Sequence, residues 1–271
     1  MERLPSSAGS SQEIDLTSIS NVERQQEILK YLQEHRRITV ADICRLFAVS
    51  EATARRDLEA LAAKGRIQRV RGGAILSAPA PPEPPLLERA REQADAKSRI
   101  GQAAARLIRD GESVFLGSGT TVLEVARHLL DRKDLTVITN SLPVINLLAG
   151  KPNITLISLG GMLRPSELSF IGHITEQALA EVRAEKVIMG TRAISLEHGL
   201  TNDYLPETLT DRAILKAGRQ VIVVADHTKL GVIASAFLAP LKAVDVLVTD
   251  GDADPDFVQA LEEQGVQVIL A

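Results

Sequence analysis

The segment SAPAPPEPPLL, residues 77–87, constrains the fold of this 271-residue chain more than any other stretch. It holds five prolines in eleven residues. Because proline lacks a backbone N–H and fixes φ, the segment cannot form the interior of a helix or a central strand. We therefore expect a stiff, extended linker over 77–87 that separates a small domain from one of moderate size.

The residues on the two sides of this linker differ in charge. Residues 22–74 contain 11 Lys and Arg against 7 Asp and Glu, whereas the remainder contains 20 against 28. The net charge of the whole chain is −4, but the part before the linker, which we call the head, is basic. A basic head beside an acidic remainder is expected of a separate module that binds a polyanion. Residues 1–20 are Ser-rich and aperiodic, which predicts a disordered leader. We place the head at 21–76 and the second domain at 88–271.

Cysteine content and apolar runs exclude several classes of protein. Cys44 is the single cysteine, so an internal disulfide is impossible and nothing requires an oxidising compartment. The first twenty residues lack the basic start and apolar core of a secretory signal. No apolar run approaches the roughly 20 residues that a membrane-spanning helix needs. We expect a soluble, cytoplasmic protein that does not meet the membrane.

The pattern of the head is typical of a winged helix-turn-helix. A helical apolar stripe follows Val22, and two shorter helices begin after the capping residues Thr39 and Ser50. Gly65 should close the last of these helices. RIQRVRGGAIL then alternates and breaks at Gly72–Gly73, which predicts a β-hairpin, the wing of the domain.

The third helix of this order can enter the major groove of double-stranded DNA. Ala54, Leu58 and Leu61 share one face and should pack inward, whereas Arg56 lies opposite with Arg55 on the flank. Arginine pairs with the edge of guanine or with phosphate, so this pair supplies both readout and anchoring. The wing adds further phosphate contacts, which we assign to Arg66, Arg69 and Arg71. Two alternatives are a solvated charged face on a helical subdomain and an adaptor that binds protein.

After the linker, short β-rich runs alternate with amphipathic helical segments. This alternation favours an α/β domain with a parallel sheet and helices on both faces. The runs are SVFL, LTVIT, ITLISL, KVIMG, QVIVVAD, VDVLVTD and VQVIL.

Several of these runs end in small or polar residues, which predicts a ligand crevice. In open parallel sheets, ligands collect beyond the carboxyl ends of the strands, and a Gly-rich turn into a helix favours an anion. The alternative for the first of these turns is a tight connection with a Ser/Thr cap. The predicted effector-binding residues are Gly117, Ser118, Gly119, Thr120, Thr121, Asn140, Ser141, Gly160, Gly161 and Lys229.

Catalytic and metal-binding patterns are not found, and no cofactor is expected. Isomerisation of a sugar phosphate needs a general base, usually a carboxylate, and IMGTRAISLEHGLTN contains no acidic cluster. The five histidines form no metal-ligating motif. TDGDADPD lacks the terminal Glu of a calcium loop, so we interpret it as a turn that caps a helix.

The head resembles the amino-terminal domain of DeoR-family transcriptional regulators. The strongest match is VS…TARRDL…G…R…GGA, within RQQEILKYLQEHRRITVADICRLFAVSEATARRDLEALAAKGRIQRVRGGA. The resemblance implies that Ser50, Thr53, Arg55 and Arg56 lie on the helix that faces DNA. It also implies that the Arg and Gly residues of the wing, Arg69, Arg71, Gly72 and Gly73, approach the DNA backbone. Ala54 stands where the family usually has Ile or Val.

The second domain resembles the DeoR carboxy-terminal sensor domain, through AKSRIGQAAARLIRDGESVFLGSGTT, VITNS, SLGG, GLTN and VADHTKL. The resemblance implies a Rossmann-like fold related to ribose-phosphate isomerases, glucosamine-phosphate deaminases and CoA transferases. It implies a phosphorylated sugar or similar metabolite as inducer, bound by the GSGTT and TNS loops and by Lys229. Gly117 stands where many members carry Asp.

Together these features predict a repressor of a carbohydrate-catabolism operon that an inducer releases from operator DNA. We expect a homo-oligomer, a dimer or a tetramer, in which the second domain holds two heads. The alternative is an isomerase- or deaminase-like enzyme with a DNA-binding head.

Overall fold

The structure is a computed structural model that describes residues 20–35, 37–64, 66–76, 78–79 and 84–271. It divides into two compact units, the first ending at Leu76 and the second beginning at Ser77. The predicted leader, apart from Ser20, lies outside the described residues, as do Gly65 and residues 77 and 80–83 of the predicted linker.

The first unit contains the predicted order of helices and hairpin. Its elements are α1 (Asn21–His35), β1 (Arg37–Thr39), α2 (Val40–Phe47), α3 (Glu51–Ala63), β2 (Ile67–Val70) and β3 (Gly73–Leu76). The three strands form one antiparallel sheet in the order β1-β3-β2. β1 is an addition to the prediction, because three residues are too few to show a period in the sequence.

Both predicted helix caps in this unit are confirmed. Thr39 Oγ1 accepts a hydrogen bond from the backbone N–H of Asp42 at 3.0 Å, and the Asp42 carboxylate accepts one from the Thr39 N–H. Ser50 Oγ accepts from the N–H of Thr53 at 3.3 Å. These bonds satisfy amides that the first turn of a helix leaves without partners, and so they fix where α2 and α3 begin.

The predicted inward face of α3 is also confirmed. Ala54, Leu58 and Leu61 are buried and pack in a cluster with residues of α1, α2 and the small sheet, including Ile28 and Ile67. Arg55 and Arg56 are exposed on the other side of the helix. The amphipathic pattern of α3 therefore leaves its arginines in solvent.

The second unit alternates strands and helices along most of its length. Its helices are α4 (Leu86–Arg89), α5 (Ala94–Ala105), α6 (Thr120–Arg127), α7 (Leu142–Leu148), α8 (His173–Ala180), α9 (Leu205–Leu215) and α10 (Pro255–Glu263), with short 3₁₀ turns at His227–Lys229 and Leu241–Ala243. Its strands are β4 (Ala78–Pro79), β5 (Ser113–Leu116), β6 (Leu135–Thr139), β7 (Ile154–Ser158), β8 (Met162–Arg164), β9 (Ser169–Ile171), β10 (Ala184–Met189), β11 (Ala193–Ser195), β12 (Gly199–Asn202), β13 (Gly218–Val224), β14 (Val232–Ile233), β15 (Ala236–Ala239), β16 (Val246–Thr249) and β17 (Gln267–Leu270).

Seven of the described strands form one sheet in the order β17-β16-β13-β10-β5-β6-β7, and every neighbouring pair is parallel. These are the seven runs predicted from the sequence. The chain moves outward from β5 to β7 in one direction and from β10 to β17 in the other. The order therefore reverses between β5 and β10, which is where doubly wound sheets open a crevice for ligands.

The large sheet is covered on both faces. Val114, Phe115 and Leu116 are consecutive in β5, and each is fully buried, as are Val187 and Ile188 in β10. Because successive side chains of a strand point to opposite faces, burial of consecutive residues requires packing on both sides of the sheet. The predicted fold class, a small winged helix-turn-helix unit with a larger α/β unit, is confirmed.

The ends of the predicted linker belong to the second unit. Ala78 and Pro79 form β4, which pairs in parallel with Val232 and Ile233 of β14. Pro85 immediately precedes α4, and Leu86 at the start of this helix is buried. Proline is well tolerated at the start of a helix, and burial of Leu86 removes its apolar surface from water. The structure thus places a helix across the predicted boundary between residues 87 and 88.

Candidate functional site

A polar cleft lies at the carboxyl ends of β5, β10 and β13, beside the reversal of strand order. Ser118–Thr121 follow β5, Gly190–Arg192 follow β10, and Asp226 follows β13, and all line the cleft. Residues from outside the sheet complete the lining. They come from α4, α5, the segment from β8 to β9, the end of β12, and α9: Arg89, Lys97, Arg164, Glu167, Asn202, Asp203, Tyr204, Glu207 and Asp211.

The start of α6 forms one end of the cleft, which we call the anion end: Ser118, Gly119, Thr120, Thr121, Lys97 and Lys229. Gly119 has a φ of 111° and precedes the first turn of α6. Since glycine has no side chain, it cannot cap the first-turn amides itself, and these amides together with the helix dipole favour an anion. The neighbouring hydroxyls of Ser118, Thr120 and Thr121 add hydrogen-bond donors.

Lys97 and Lys229 bring cationic groups to this cleft. Lys97 Nζ donates a hydrogen bond to the backbone oxygen of Arg89 at 2.6 Å. Burial lowers the pKa of the Lys97 ammonium, although the carboxylate of Asp226 partly opposes that shift. Lys229 ends the short 3₁₀ turn after β13. The negative charge of a ligand phosphate in the cleft would raise the pKa of Lys97 again and so favour its charged form.

The turn that carries Lys229 is fastened to the next strand. The backbone N–H and the Nδ1 of His227 each lie 2.7 Å from a carboxylate oxygen of Asp250, which is fully buried at the end of β16. Burial alone would raise the pKa of Asp250, but the hydrogen bonds from His227 outweigh it and leave the pKa lowered. Asp250 also lies with Asp252 and His227 in a cluster of possible metal ligands.

Arginine–carboxylate pairs surround the rest of the cleft. Arg89 pairs with Glu167 and Arg164 pairs with Glu207, and all four side chains are at most 15% exposed. Arg192 Nε lies 2.9 Å from Asp203 Oδ2. Because breaking a buried pair leaves an uncompensated charge, these pairs hold their elements in place. A charged ligand must compete with them for either partner.

Asp211 on α9 occupies a distinct environment in the same cleft. Asn202 Nδ2 donates a hydrogen bond to Asp211 Oδ2 at 2.9 Å. Burial raises the pKa of the Asp211 carboxyl well above its usual value, and the nearby carboxylates of Glu207 and Glu167 raise it further. A carboxyl held in its neutral form can donate a hydrogen bond to a ligand hydroxyl as well as accept one.

The structure brings five of the predicted effector residues into the cleft. Ser118, Gly119, Thr120, Thr121 and Lys229 line it.

The other five predicted effector residues, Gly117, Asn140, Ser141, Gly160 and Gly161, are not among the residues that line the cleft. The Gly117 N–H donates to the Ile188 oxygen at 2.9 Å within the sheet, and Asn140 Nδ2 donates to the Phe170 oxygen at 3.0 Å. β6 and β7 are the second and third strands from the reversal, so their ends meet the β8–β9 hairpin and α8 instead. Contact of these five residues with an effector stays a prediction.

Sequence reasoning missed the charged residues that come from outside the sheet. Arg89 and Glu167 are 78 residues apart, and Arg164 and Glu207 are 43 apart. No local pattern connects them. The absence of an acidic cluster from IMGTRAISLEHGLTN did not reveal the acids of the cleft, because α9 and the segment between β8 and β9 deliver them from elsewhere in the chain. The available signal was the spacing of Glu207 and Asp211, four residues apart on one helix face and just after Asn202.

The predicted DNA-binding residues lie on α3 and the β2–β3 hairpin. Ser50 caps α3 and Thr53 lies in its first turn, and their hydroxyl oxygens are 3.0 Å apart. Arg56 and Arg71 are exposed, whereas Arg55 pairs with Glu51 at 3.2 Å. Arg69 donates a hydrogen bond to the Arg55 backbone oxygen at 3.3 Å, which joins the wing to α3.

The two wing glycines lie in different surroundings. Gly72 is exposed in the turn with a φ of 77°, the left-handed region that favours glycine. Gly73 is buried in β3 against β1, where a Cβ atom would collide with the Ile38 oxygen and come within 2.9 Å of the Thr39 Cα. Gly73 therefore permits the close pairing of these strands. Contact of either glycine with DNA stays a prediction.

The helix-capping interpretation of TDGDADPD is confirmed. Asp254 accepts a hydrogen bond from the N–H of Asp256 at 2.9 Å at the start of α10. In the described part of the chain, no helix combines the length and the apolar character that crossing a membrane requires.

A winged helix-turn-helix unit with exposed arginines, followed by an α/β unit with a polar cleft at the reversal of strand order, defines a DNA-binding transcriptional regulator with a small-molecule effector domain. Residues 24–79 match the DeoR-like helix-turn-helix domain, and residues 92–251 match the DeoR C terminal sensor domain. The chain belongs to the DeoR family of transcriptional regulators.

Named relatives support this membership over most of their length. The chain is 37% identical over 248 residues to the HTH-type transcriptional repressor GlcR of Bacillus subtilis, covering 92% of this chain and 95% of that protein. It is 31% identical to the glycerol-3-phosphate regulon repressor of Escherichia coli over 252 residues, 93% of this chain and 100% of that protein. Among solved structures, ribose 5-phosphate isomerase A of Methanocaldococcus jannaschii is similar with a TM-score of 0.39 and 18% identity, over 51% of this chain and 55% of that one.

Proposed function

We propose that this protein is a repressor of a carbohydrate-catabolism operon and that a phosphorylated sugar or related metabolite lowers its affinity for operator DNA. The observation that carries the proposal is the anion end of the cleft. There the amides at the start of α6, the Ser and Thr hydroxyls and two lysines converge at the reversal of strand order. This combination suits a phosphate, which carries a charge near −2 and three acceptor oxygens.

The rest of the cleft suits the hydroxyl groups of a sugar or polyol. Asn202, Asp203 and Asp211 offer donors and acceptors in the lining outside the anion end. Hydroxyl groups both donate and accept hydrogen bonds, so they match such a mixed lining. The relative from Escherichia coli is named for glycerol 3-phosphate, a phosphorylated polyol, which supports the same class of ligand for this chain.

Repression and release require that DNA and effector favour different states of the protein. We propose that the protein acts as a homo-oligomer, a dimer or tetramer, because helix-turn-helix proteins commonly bind paired half-sites. Since its target is operator DNA, we place it in the cytoplasm. The cleft acts as a sensor without turnover, a view that the regulator names of its relatives support.

The test uses the full chain and a DNA duplex selected from the upstream region of its own operon. Fluorescence anisotropy measures the Kd for this duplex while single sugar phosphates, and the same sugars without phosphate, are added. We expect release by one phosphorylated compound and no comparable release by its unphosphorylated form. Equal release by both compounds would remove the phosphate from the proposal.

A double variant locates the effector. Ser118→Ala with Thr120→Ala should leave the Kd for DNA unchanged and abolish the response to the compound found above. The matched control is Ser113→Ala with Thr136→Ala, two hydroxyls at the amino ends of β5 and β6 and away from the cleft. Normal release by the first variant would mean that the effector binds elsewhere. Chemical conversion of the compound by the purified protein would favour the enzyme instead.

A further inference from the structure

The carboxylate of Glu167 lies beside the anion end of the cleft. Glu167 Oε1 is 3.9 Å from the position that a Cβ atom would take on Gly119, the residue before α6. Its side chain is only 8% exposed. A carboxylate is stabilised near the start of a helix for the same reason that a phosphate is, because both respond to the amides and the helix dipole.

Glu167 also fastens α4 to the cleft. Its carboxylate pairs with Arg89 at the end of α4, and the arginine is equally buried, at 9% exposure. The neighbouring residue, Ser166, accepts a hydrogen bond on its backbone oxygen from the N–H of Leu86 at 2.8 Å. The turn between β8 and β9 therefore holds both ends of α4, one through a side chain and the other through the backbone.

α4 follows the segment that leads from the DNA-binding unit. Arg89 Nε donates to the Pro84 oxygen at 2.9 Å, which extends the attachment into the chain before the helix. Farther upstream, β4 pairs with β14, three residues after Lys229 of the anion end. Two described parts of the connecting segment are therefore attached to the α/β unit. Residues 78–79 pair with β14, which follows Lys229, and Pro84 contacts Arg89, which lines the cleft.

The turn that carries Glu167 has an uncommon backbone. Leu168 adopts a φ of 54°, a left-handed conformation that is rare for a branched, bulky residue and costs free energy. Contacts around the turn must offset that cost, and Arg89–Glu167 is among them. Loss of the pair therefore favours movement of the turn.

We propose that the Glu167 carboxylate is an internal competitor for the anionic group of the effector. A phosphate at the start of α6 displaces this carboxylate, breaks its pair with Arg89 and releases α4 from the β8–β9 turn. Arg89 then changes its partner from the carboxylate to the phosphate. The inference rests on the proposed function for the identity of the anion, but it predicts behaviour of the α/β unit that needs no DNA to observe.

The experiment uses inorganic phosphate as the probe on the full chain, with chloride at matched ionic strength as the reference. Calorimetry gives the affinity for phosphate, and hydrogen exchange of peptides covering 84–92 reports release of the Leu86 amide. In the parent protein, phosphate should increase exchange in these peptides. Phosphate binding without any change there would overturn the proposal, as would failure of parent and variants alike to bind phosphate.

Two variants break the same pair from opposite sides. Glu167→Gln removes the competing charge, so its affinity for phosphate should rise about tenfold, within the usual range of coupling effects. Arg89→Gln removes a cation that binds the anion, so its affinity should fall. Both variants should show fast exchange in 84–92 before phosphate is added. Glu181→Gln, at an exposed carboxylate after α8, is the control and should match the parent.

The opposite signs distinguish this competitor from a purely structural pair. If Glu167 and Arg89 only stabilise the fold, both variants should shift the phosphate affinity in the same direction, which would overturn the proposal. Unfolding midpoints of each variant establish that the measurements concern the folded protein. If the protein passes these tests but no phosphorylated compound releases it from DNA, the competitor role of Glu167 is supported and only the proposed function is contradicted.

Discussion

Arg24 Nε on α1 lies 2.6 Å from Asp57 Oδ2 on α3, and both side chains are at most 10% exposed. Gln25 Nε2 lies 3.3 Å from the other oxygen of the same carboxylate. The helix that carries Arg55 and Arg56 is therefore attached to α1 by one buried acid. That acid is the next residue in the sequence after Arg56.

Replacing this acid should destabilise the DNA-binding unit. Asp57→Ala leaves Arg24 buried without a partner, a change that costs about 3–5 kcal/mol in other proteins. Urea unfolding followed by hydrogen exchange of peptides from 21–35 gives the free energy of unfolding of this unit. The control Glu51→Gln removes an exposed pair on the same helix and should cost about 0.5 kcal/mol or less. Equal small effects of the two changes would show that the buried pair contributes little.

The exposed arginines of the head should separate into base and phosphate contacts. Arg56→Ala should cost about 1–3 kcal/mol of specific binding and relax the preference at one base pair. Arg71→Ala in the wing should weaken binding to all sequences and reduce the salt dependence by about one charge. Anisotropy titrations at several salt concentrations, with specific and random duplexes, measure both quantities.

The control for these arginines is Lys30→Ala on α1, an exposed cation that pairs with Glu27 within its own helix. It should leave DNA affinity unchanged. A loss as large as that of Arg56→Ala would mean that general positive charge, and not the position on α3, determines binding.

The wing glycines should differ in their tolerance of a methyl group. Gly73→Ala places Cβ against the backbone of Ile38 and Thr39, which cannot move without breaking the β1–β3 pairing. We expect destabilisation of about 3 kcal/mol, the upper range for overpacking. Gly72→Ala meets open space and should cost about 1 kcal/mol for its left-handed backbone.

Thermal unfolding and hydrogen exchange of the hairpin measure this difference between Gly72→Ala and Gly73→Ala. Equal losses of stability in the two variants would indicate that β1 and β3 can move apart at little cost in free energy. A Gly73→Ala variant of normal stability that fails to bind DNA would instead support the predicted contact of this glycine with the DNA backbone.

Stability of the α/β unit should depend on pH through Asp211. The pKa of this carboxyl is raised by burial above its ordinary value of 3.8. Between that value and the raised folded pKa, the folded state binds more protons than the unfolded state, so this contribution to stability falls as pH rises. Asp211→Asn resembles the neutral form and should lack that decline.

Urea unfolding at a series of pH values above the ordinary pKa of 3.8 covers the expected window. The difference in free energy of unfolding between Asp211→Asn and the parent should shift in favour of the variant as pH increases. Asp131→Asn, at an exposed carboxylate, is the control. A difference that stays constant with pH would contradict a raised pKa of Asp211 in the folded protein.

The large sheet was predictable because each of its strands contains a short run rich in apolar residues. β5 and β13 are examples, since their consecutive buried residues 114–116 and 221–224 are apolar, as burial on both faces demands. The caps at Thr39 and Ser50 were predictable for a related reason, because the signal and its partner lie within three residues. The short strands β1, β8 and β14 gave no such signal.

The cleft was predictable only where it is built from strand ends. Ser118–Thr121 and Lys229 follow strands directly, so the sheet alone places them. Arg89 and Glu167 reach the cleft from α4 and from a hairpin, and each has a partner that is distant in sequence. A buried charge needs a partner, but the sequence alone does not show which distant residue will be that partner.

The pairing of Ala78 and Pro79 with β14 determines where this chain can be divided. A sensor expressed alone from residue 88 would lose β4 and would begin inside α4, without the Leu86 amide that donates to the Ser166 oxygen. A chimaera that exchanges the DNA-binding head should therefore join at 76–77, so that the recipient keeps its own connecting segment. The proline-rich stretch belongs to the ligand-binding half of the molecule, and it should be inherited with that half.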